Sequence, residues 1–350
     1  MSTSGDGGRV GLKHVAARAG VSVKTVSNVV NGYPFVKPMT RTRVQEAIDE
    51  LNYRPNLAAR NLRQGRSDVI ALALPEIDAP YFGELARSVI KAAETRGWTV
   101  LMDQTDGLVE RERLVLDGIR GRLIDGLILS PLALGAAELE QRRDTTPLVL
   151  LGERVYDGPA DHVSIDNVAA AEVAVRHLVE LGRHRIAAIG DQPRSTSQTA
   201  HLRLAGYLRA LEDAGRPAAV EWRCPVDAYH RAQGAAAMHR LLDLARPPDA
   251  VFCFNDLLAL GALRALHDRG LRVPDDVAVV GWDDVEDGRF STPTLTTIRP
   301  DKQQIASLAV DLLAERLGSV HPSAPREVTA DFCLVVREST AGVPPGGASG

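Results

Sequence analysis

Cysteine is scarce. The 350-residue chain has three, Cys224, Cys253 and Cys333. An odd, scattered set cannot make the paired framework of a small secreted domain or a compact zinc site, and it fits a reducing cytosol. Long apolar runs are also missing. No stretch approaches the roughly 18–20 residues that cross a bilayer, so no membrane partner is expected. Residues 1–11 (MSTSGDGGRVG) have no apolar core of the kind a secretory leader needs. Signatures of catalysis are absent as well. Gly5–Gly11 is glycine-rich, but no strand precedes it and its spacing fails the dinucleotide pattern. There is no P-loop, no G-x-S-x-G and no close His/Cys pair. No catalytic residue, metal or cofactor is therefore expected. What remains is ordinary globular usage, 45% hydrophobic and 25% charged, with length for two or three domains. Collagen, coiled coil and wholesale disorder are excluded.

Charge is unevenly placed. Up to Arg66 the chain carries 11 Lys and Arg against 4 Asp and Glu; beyond it, 30 against 41. A basic head on an acidic body suits a chain that touches a polyanion with one end only. Taken alone, the same asymmetry also describes an uneven solvated surface.

Within the head, Leu12–Ala19 (LKHVAARA) reads as a helix stopped by Gly20. Ser22 is a good N-cap for a second helix, Val23–Asn31. Its Val26, Val29 and Val30 share one face, and Lys24, Ser27, Asn28 and Asn31 share another. A short helix after a glycine turn, with a polar ridge that can reach base edges, is what a helix-turn-helix needs. Gly32-Tyr33-Pro34 breaks it. A third helix starts near Pro38, with Val44, Ala47, Ile48 and Leu51 as its buried stripe. Three helices of any packed bundle would show much of this pattern; the basic excess and the polar ridge favour DNA.

The body alternates apolar strands with helices. Val69–Leu74 is followed by a helix over about Phe82–Thr95. Then come Val100–Met102, Leu127–Leu129 and Leu148–Leu151. A second round has Ile186–Gly190, a helix over Ala200–Ala214, then Ala250–Phe254 and Val277–Gly281. Such alternation predicts parallel sheets covered on both faces. Two rounds predict two doubly wound lobes with a cleft at the strand carboxyl ends.

The blocks LKHVAARAGVSVKTVSNVVNG and TRTRVQEAIDELNYRPNLAARNLRQGRS resemble the lactose-repressor (LacI/GalR) family of bacterial transcription regulators. HLVELGRHRIAAIG, RLAGYLRALEDAG, FNDLLALGALRAL, GWDD and PTLTTIRPD follow in the family's order, so the resemblance covers about residues 11–340. It implies a small all-α helix-turn-helix DNA-binding domain plus an α/β core of two doubly wound parallel-sheet lobes, like periplasmic binding proteins. The implied layout is a flexible start at 1–10, a DNA-binding domain at 11–56 and a hinge helix and linker at 57–66. The core at 67–340 and a disordered tail at 341–350 complete it. With three lobe crossings, near Ile165, Thr297 and Thr329, lobe one is about 68–164 plus 298–328. Lobe two is about 165–297 plus 329–340.

The resemblance also implies residue roles. DNA contacts would come from Ser22, Val23, Lys24, Thr25, Ser27, Asn28, Asn31, Tyr53, Asn56, Ala59, Leu62 and Arg63. Val23, Lys24 and Asn28 would read bases, and Leu62 would wedge the minor groove. Asn28 stands where members often carry Arg, so adenine is the more natural target than guanine. Lys37 replaces the usual Ser cap of the third helix. An effector pocket would hold Tyr81, Phe82, Thr199, Arg203, Tyr229, Asn255 and Asp283. Arg299-Pro300-Asp301-Lys302 departs from the aromatic or Gln of many sugar-binding relatives. The expected protein is a cytoplasmic homodimeric repressor of a pseudo-palindromic operator, controlled by a small carbohydrate-like effector. A corepressor of opposite sign fits the same architecture. A solute-binding protein or a cleft enzyme of similar fold are the alternatives.

Overall fold

The computed structural model describes residues 10–30, 32–54, 66–118, 123–153, 158–192, 198–319 and 323–342. The chain divides into two compact units, Met1–Ser67 and Asp68–Gly350.

The first unit holds three described helices, α1 (Leu12–Ala19), α2 (Val23–Val30) and α3 (Pro38–Glu50). Helix α1 ends because Gly20 takes φ 62, a left-handed turn that a Cβ would oppose. The Val21 N–H then returns to the Ala16 carbonyl at 3.0 Å. Ser22 Oγ accepts from the Thr25 N–H at 3.1 Å and opens α2. The valines of α2 are poor helix formers; burial holds them. Val26 and Val29 pack with Val15, Ala16 and Ala19 of α1, Val44 and Ala47 of α3, and Tyr53. Of the expected α3 stripe, Ile48 and Leu51 only flank that core. No side chain caps α3 at Lys37, and Pro38 occupies its first turn.

The second unit is built on two six-stranded sheets. Sheet one runs β11-β5-β4-β3-β1-β2 and sheet two β12-β10-β9-β8-β6-β7. In sheet one these are β1 (Val69–Leu74), β2 (Thr99–Gln104), β3 (Gly126–Leu129), β4 (Leu148–Leu151), β5 (Asp161–Ile165) and β11 (Glu327–Ala330). In sheet two they are β6 (Ile186–Asp191), β7 (Arg223–Pro225), β8 (Ala250–Cys253), β9 (Ala278–Trp282), β10 (Thr296–Pro300) and β12 (Phe332–Val335). Every pairing is parallel except β10 with β12. The central strands are buried on both faces. Along β1, Ile70, Leu72 and Leu74 enter the main core, while Ala71 and Ala73 face a second cluster. That is why they read as unbroken apolar runs.

Helices cover the sheets. On sheet one lie α4 (Pro80–Glu94), α5 (Val109–Leu116), α6 (Ala136–Glu140) and α12 (Lys302–Gly318). Lobe two has α7 (Asn167–Glu180), α8 (Gln198–Asp213), α9 (Arg231–Leu242), α10 (Asp256–Asp268), α11 (Glu286–Arg289) and α13 (Glu338–Ala341). Helices α9 and α10 touch backbone to backbone. A Cβ on Gly261 would lie 2.0 Å from the Arg231 carbonyl oxygen, so only glycine fits there.

The three lobe crossings fall at Asp166, Asp301 and Asp331, the first beside the expected Ile165 and the other two later than the sequence suggested. Strand β10 stays in sheet two to Pro300, paired with both β9 and β12. Ile298, Arg299 and Pro300 therefore belong to lobe two. Thr329 and Ala330 pair with β5 and stay in lobe one. The second and third crossings are tied together by the Asp301 N–H on the Asp331 carbonyl at 2.9 Å. Asp301 also caps α12, accepting from the Gln303 and Gln304 N–H groups. Residues 338–341 form α13, where buried Ser339 donates to the Val279 carbonyl at 2.7 Å. Residues 343–350 and most of the expected start and hinge segments lie outside the described residues.

Candidate functional site

In the first unit, α2 presents Lys24 and Val23 to solvent, with Ser27 and Asn28 half-buried beside them. Ser22 and Thr25 are engaged with each other, their hydroxyls 2.9 Å apart. Val23, Lys24 and Asn28 remain as the outward-reaching set, and Ser27 has a partner of its own. Tyr53 does not join them; its ring packs in the domain core. Asn31, Asn56, Ala59, Leu62 and Arg63 lie outside the described residues. Sequence reasoning passed over Tyr33, Phe35 and Met39, which follow α2. Phe35 and Met39 are 85% and 86% exposed, and Tyr33 meets Phe35 edge to face at 5.6 Å. The signal was apolar residues in the segment between α2 and α3 and in the first turn of α3, off the buried stripe of either helix.

In the second unit a cavity of about 560 Å³ lies between the two sheets' carboxyl ends. All seven residues expected there line it, namely Tyr81, Phe82, Thr199, Arg203, Tyr229, Asn255 and Asp283. They do not contribute alike. Asn255 caps α10, its Oδ1 accepting from the Leu258 N–H at 2.8 Å and its Nδ2 donating to the Tyr229 carbonyl at 3.1 Å. The Tyr229 hydroxyl donates to the Gly190 carbonyl at 2.8 Å, and Thr199 Oγ1 to Glu153 at 2.8 Å. These three side chains are held by the protein itself. Tyr81 and Phe82 stack edge to face, 5.2 Å apart, at the start of α4.

Arg203 is buried. Its Nε donates to Asn167 Oδ1 at 2.9 Å and its Nη1 to the Phe254 carbonyl. Its guanidinium stacks 3.9 Å from the Trp282 ring centroid. Nη2 has no hydrogen-bond partner among the described residues, so one donor of the fork remains for a ligand. Asp283 is 8% exposed, and no described residue donates a hydrogen bond to its carboxylate. Burial pushes that carboxyl up to about 7, against the pull of Arg203 and Lys302. Burial raises the Tyr81 phenol well above its ordinary value too, with Glu153 and Asp283 adding to the effect.

The turn that carries Asp283 is strained. Asp283 and the adjacent Asp284 take φ 116 and φ 49, conformations that cost a non-glycine residue about 1–3 kcal/mol each. Surrounding groups hold them. Arg337 and Arg289 bind the Asp284 carboxylate at 2.6 and 2.8 Å. Asp256 accepts from the Val285 N–H at 2.9 Å and from Thr297 Oγ1 at 2.6 Å. Full burial, with Asp283 beside it, raises the Asp256 carboxyl well above the usual carboxylate range.

Several lining residues escaped the sequence reading. Glu76, Ser130, Glu153, Gln192 and Trp282 all line the cavity, and each sits at or just past the end of β1, β3, β4, β6 or β9. The rule that parallel strands deliver polar groups at their carboxyl ends would have found them. Among the described residues, the buried indole N–H of Trp282 has no partner. Among the described lining residues the carboxylates of Glu76, Asp106, Glu153, Asp227 and Asp283 face one cation, Arg203.

A helix-turn-helix unit and a two-lobed core with a cleft cavity in one chain define a ligand-responsive DNA-binding regulator. Residues 11–56 match the model of bacterial regulatory proteins of the lacI family, and residues 175–340 match that of a periplasmic binding protein-like domain. The Ribose operon repressor of Escherichia coli strain K12 is 34% identical over 308 residues, covering 87% of this chain and 92% of that protein. Among solved structures, the Lac repressor dimer bound to operator superposes with a TM-score of 0.83. It is 30% identical and covers 95% of this chain and 99% of that one. A complex of the transcriptional regulator CelR with cellobiose has a TM-score of 0.70, 33% identity and coverage of 95% and 100%. The chain belongs to the LacI family of bacterial regulatory proteins. Among the described residues, no helix is long and apolar enough to cross a membrane.

Proposed function

We propose that the chain is a cytoplasmic, dimeric transcriptional repressor without enzymatic chemistry. It binds a pseudo-palindromic operator through α2, and a small polyhydroxylated effector in the core cavity controls that binding. The convergence of Tyr81, Phe82, Thr199, Arg203, Tyr229, Asn255 and Asp283 on one cavity of about 560 Å³ carries this reading. That volume lies within the range of small-ligand sites.

Lining chemistry supports a neutral polyol. The Asp283 carboxylate, to which no described residue donates, offers an acceptor to hydroxyl donors, Arg203 Nη2 offers a donor, and aromatic rings suit the apolar face of a sugar. Thr199 on Glu153 at 2.8 Å and His230 near Glu76 at 3.7 Å bridge the lobes across the cleft. Occupancy can therefore change how the lobes meet. Two relatives, a ribose operon repressor and a regulator in complex with cellobiose, agree with a sugar.

The test is thermal melting of the full chain with D-ribose, cellobiose, nucleosides and their phosphorylated counterparts. A neutral polyol should raise the melting temperature by mass action and alter affinity for an operator obtained by binding-site selection. If no compound does so, or if only phosphorylated ones do, the effector assignment is wrong.

A further inference from the structure

The Asp283 turn is held from the other lobe. Lys302 opens α12, immediately after the second crossing, and belongs to lobe one; Asp283, Asp284 and Glu286 belong to lobe two. The Lys302 ammonium donates to the Asp283 carbonyl and, at 3.4 Å, to the Asp284 carbonyl. It pairs with Glu84 Oε2 of α4 at 2.8 Å and lies 5.6 Å from the Tyr81 ring centroid. The other oxygen of Glu84 accepts from the Glu286 N–H at 3.2 Å, so the same pair grips both ends of the turn. The side chain of Lys302 is 12% exposed. A nearly buried cation with one carboxylate partner, spending its other donors on two carbonyls of a strained turn, is unusual for a surface ion pair.

We propose that Lys302 is a positioning residue of the effector site. This lobe-one cation, paired with Glu84, holds the lobe-two turn that presents Asp283 to the cavity and sets the charge that Asp283 carries there. The proposal rests on the reading of the cavity as the effector site. It gives that site a direct mechanical link between lobes. Whatever draws on Asp283 also draws on α12 and α4. Lys302 needs no ligand contact for this; it acts through the turn.

The test reads Asp283 without any ligand, so its outcome is separate from that of the effector panel. The charged and titratable groups facing Asp283 are Lys302 from α12, Arg203 from α8, Glu84 and Tyr81 from α4, Glu153 after β4 and Asp256 from α10. Asp283 holds its proton more tightly folded than the roughly 3.9 of an unfolded aspartate. Its contribution to stability is therefore complete below about pH 4, is lost as pH rises, and levels off near pH 7. Melting of the full chain is measured from pH 4 to 9 with and without Asp283→Asn, and the difference isolates this residue.

In the Lys302→Met background the levelling point should move up by about half a pH unit or more, because a favourable charge is gone. Lys302→Arg should return it toward the parent. Glu84→Gln, which removes a like charge while leaving Lys302, should move it down. A role confined to packing would lower melting at every pH without displacing the levelling point. Profiles of Lys302→Met that overlay the parent would overturn the proposal. If Lys302→Met does not fold, a Glu84→Gln profile that overlays the parent would overturn it as well.

Discussion

Arg203 and Asp283 sit side by side in the cavity, yet they answer to different partners. Arg203 is committed to Asn167 and the Phe254 carbonyl and stacks on Trp282. Arg203→Ala leaves two acceptors unpaired and opens a hole beside the indole. It should cost about 2–4 kcal/mol of core stability, the sum expected for hydrogen bonds to a buried charged group, along with any effector affinity. Asp283 has no described donor on its carboxylate, so Asp283→Asn spares the protein's own bonds. It should raise melting at neutral pH above that of the parent, because a neutral amide escapes the cost of ionising a buried carboxyl, and should converge with the parent near pH 4, while weakening the effector. Chemical denaturation of both variants checks this. An Arg203→Ala core as stable as the parent would show that its bonds to Asn167 and Phe254 contribute little.

Helix α2 is the element on which operator choice depends. Its buried side, Val26 and Val29, is fixed by α1 and α3, which leaves Lys24 and Asn28 as the hydrogen-bonding groups that can approach base edges. Asn28→Ala should cost roughly 1–3 kcal/mol at one base pair and relax selection there, because an amide can pair with adenine by two bonds and a methyl cannot. Binding-site selection that returns the parental sequence from the variant would remove Asn28 from base reading.

Much at this scale was legible beforehand. The 3.6-residue periodicity, Gly20 and Ser22 marked α1 and α2, and the apolar runs marked β1, β2, β3, β4, β6, β8 and β9. The strands that went unread are β5, β7, β10, β11 and β12. In β5 the polar Asp161 and His162 interrupt the run because they meet Arg316 and Glu327 rather than solvent. In β10 the alternating Thr296-Thr297-Ile298-Arg299-Pro300 resembles a loop until its partners are known. The cavity was found through seven residues, but spacing along the chain could not tell that Asn255, Tyr229 and Thr199 are bonded within the protein. Tyr229 is bonded to Gly190 of β6 and Thr199 to Glu153 of the opposite lobe, and only the Asn255 bond to the Leu258 N–H is local in the chain.

At the scale of the whole chain, charge and ligand chemistry are kept apart. Up to Arg66 the basic residues number 11 against 4 acidic, and beyond it 30 against 41. The boundary between compact units falls at Ser67–Asp68. Operator binding must then displace counterions through the head alone, while an acidic body gains nothing from phosphate. With on the order of 8 phosphates contacted by a dimer, the logarithm of operator affinity should fall against the logarithm of salt with a slope near −7. Binding of an uncharged effector in the buried cavity should be nearly flat in salt, since no counterions are released. Linkage adds a constraint: the factor by which effector changes operator affinity must equal the factor by which operator changes effector affinity at each salt concentration. Titrations of operator with and without saturating effector, and the reverse, at several salt concentrations measure all three quantities. A salt-flat operator affinity would take the basic head out of DNA binding. A steep salt slope for the effector would mean that the ligand is itself an ion, and the neutral-polyol reading of the cavity would fall with it.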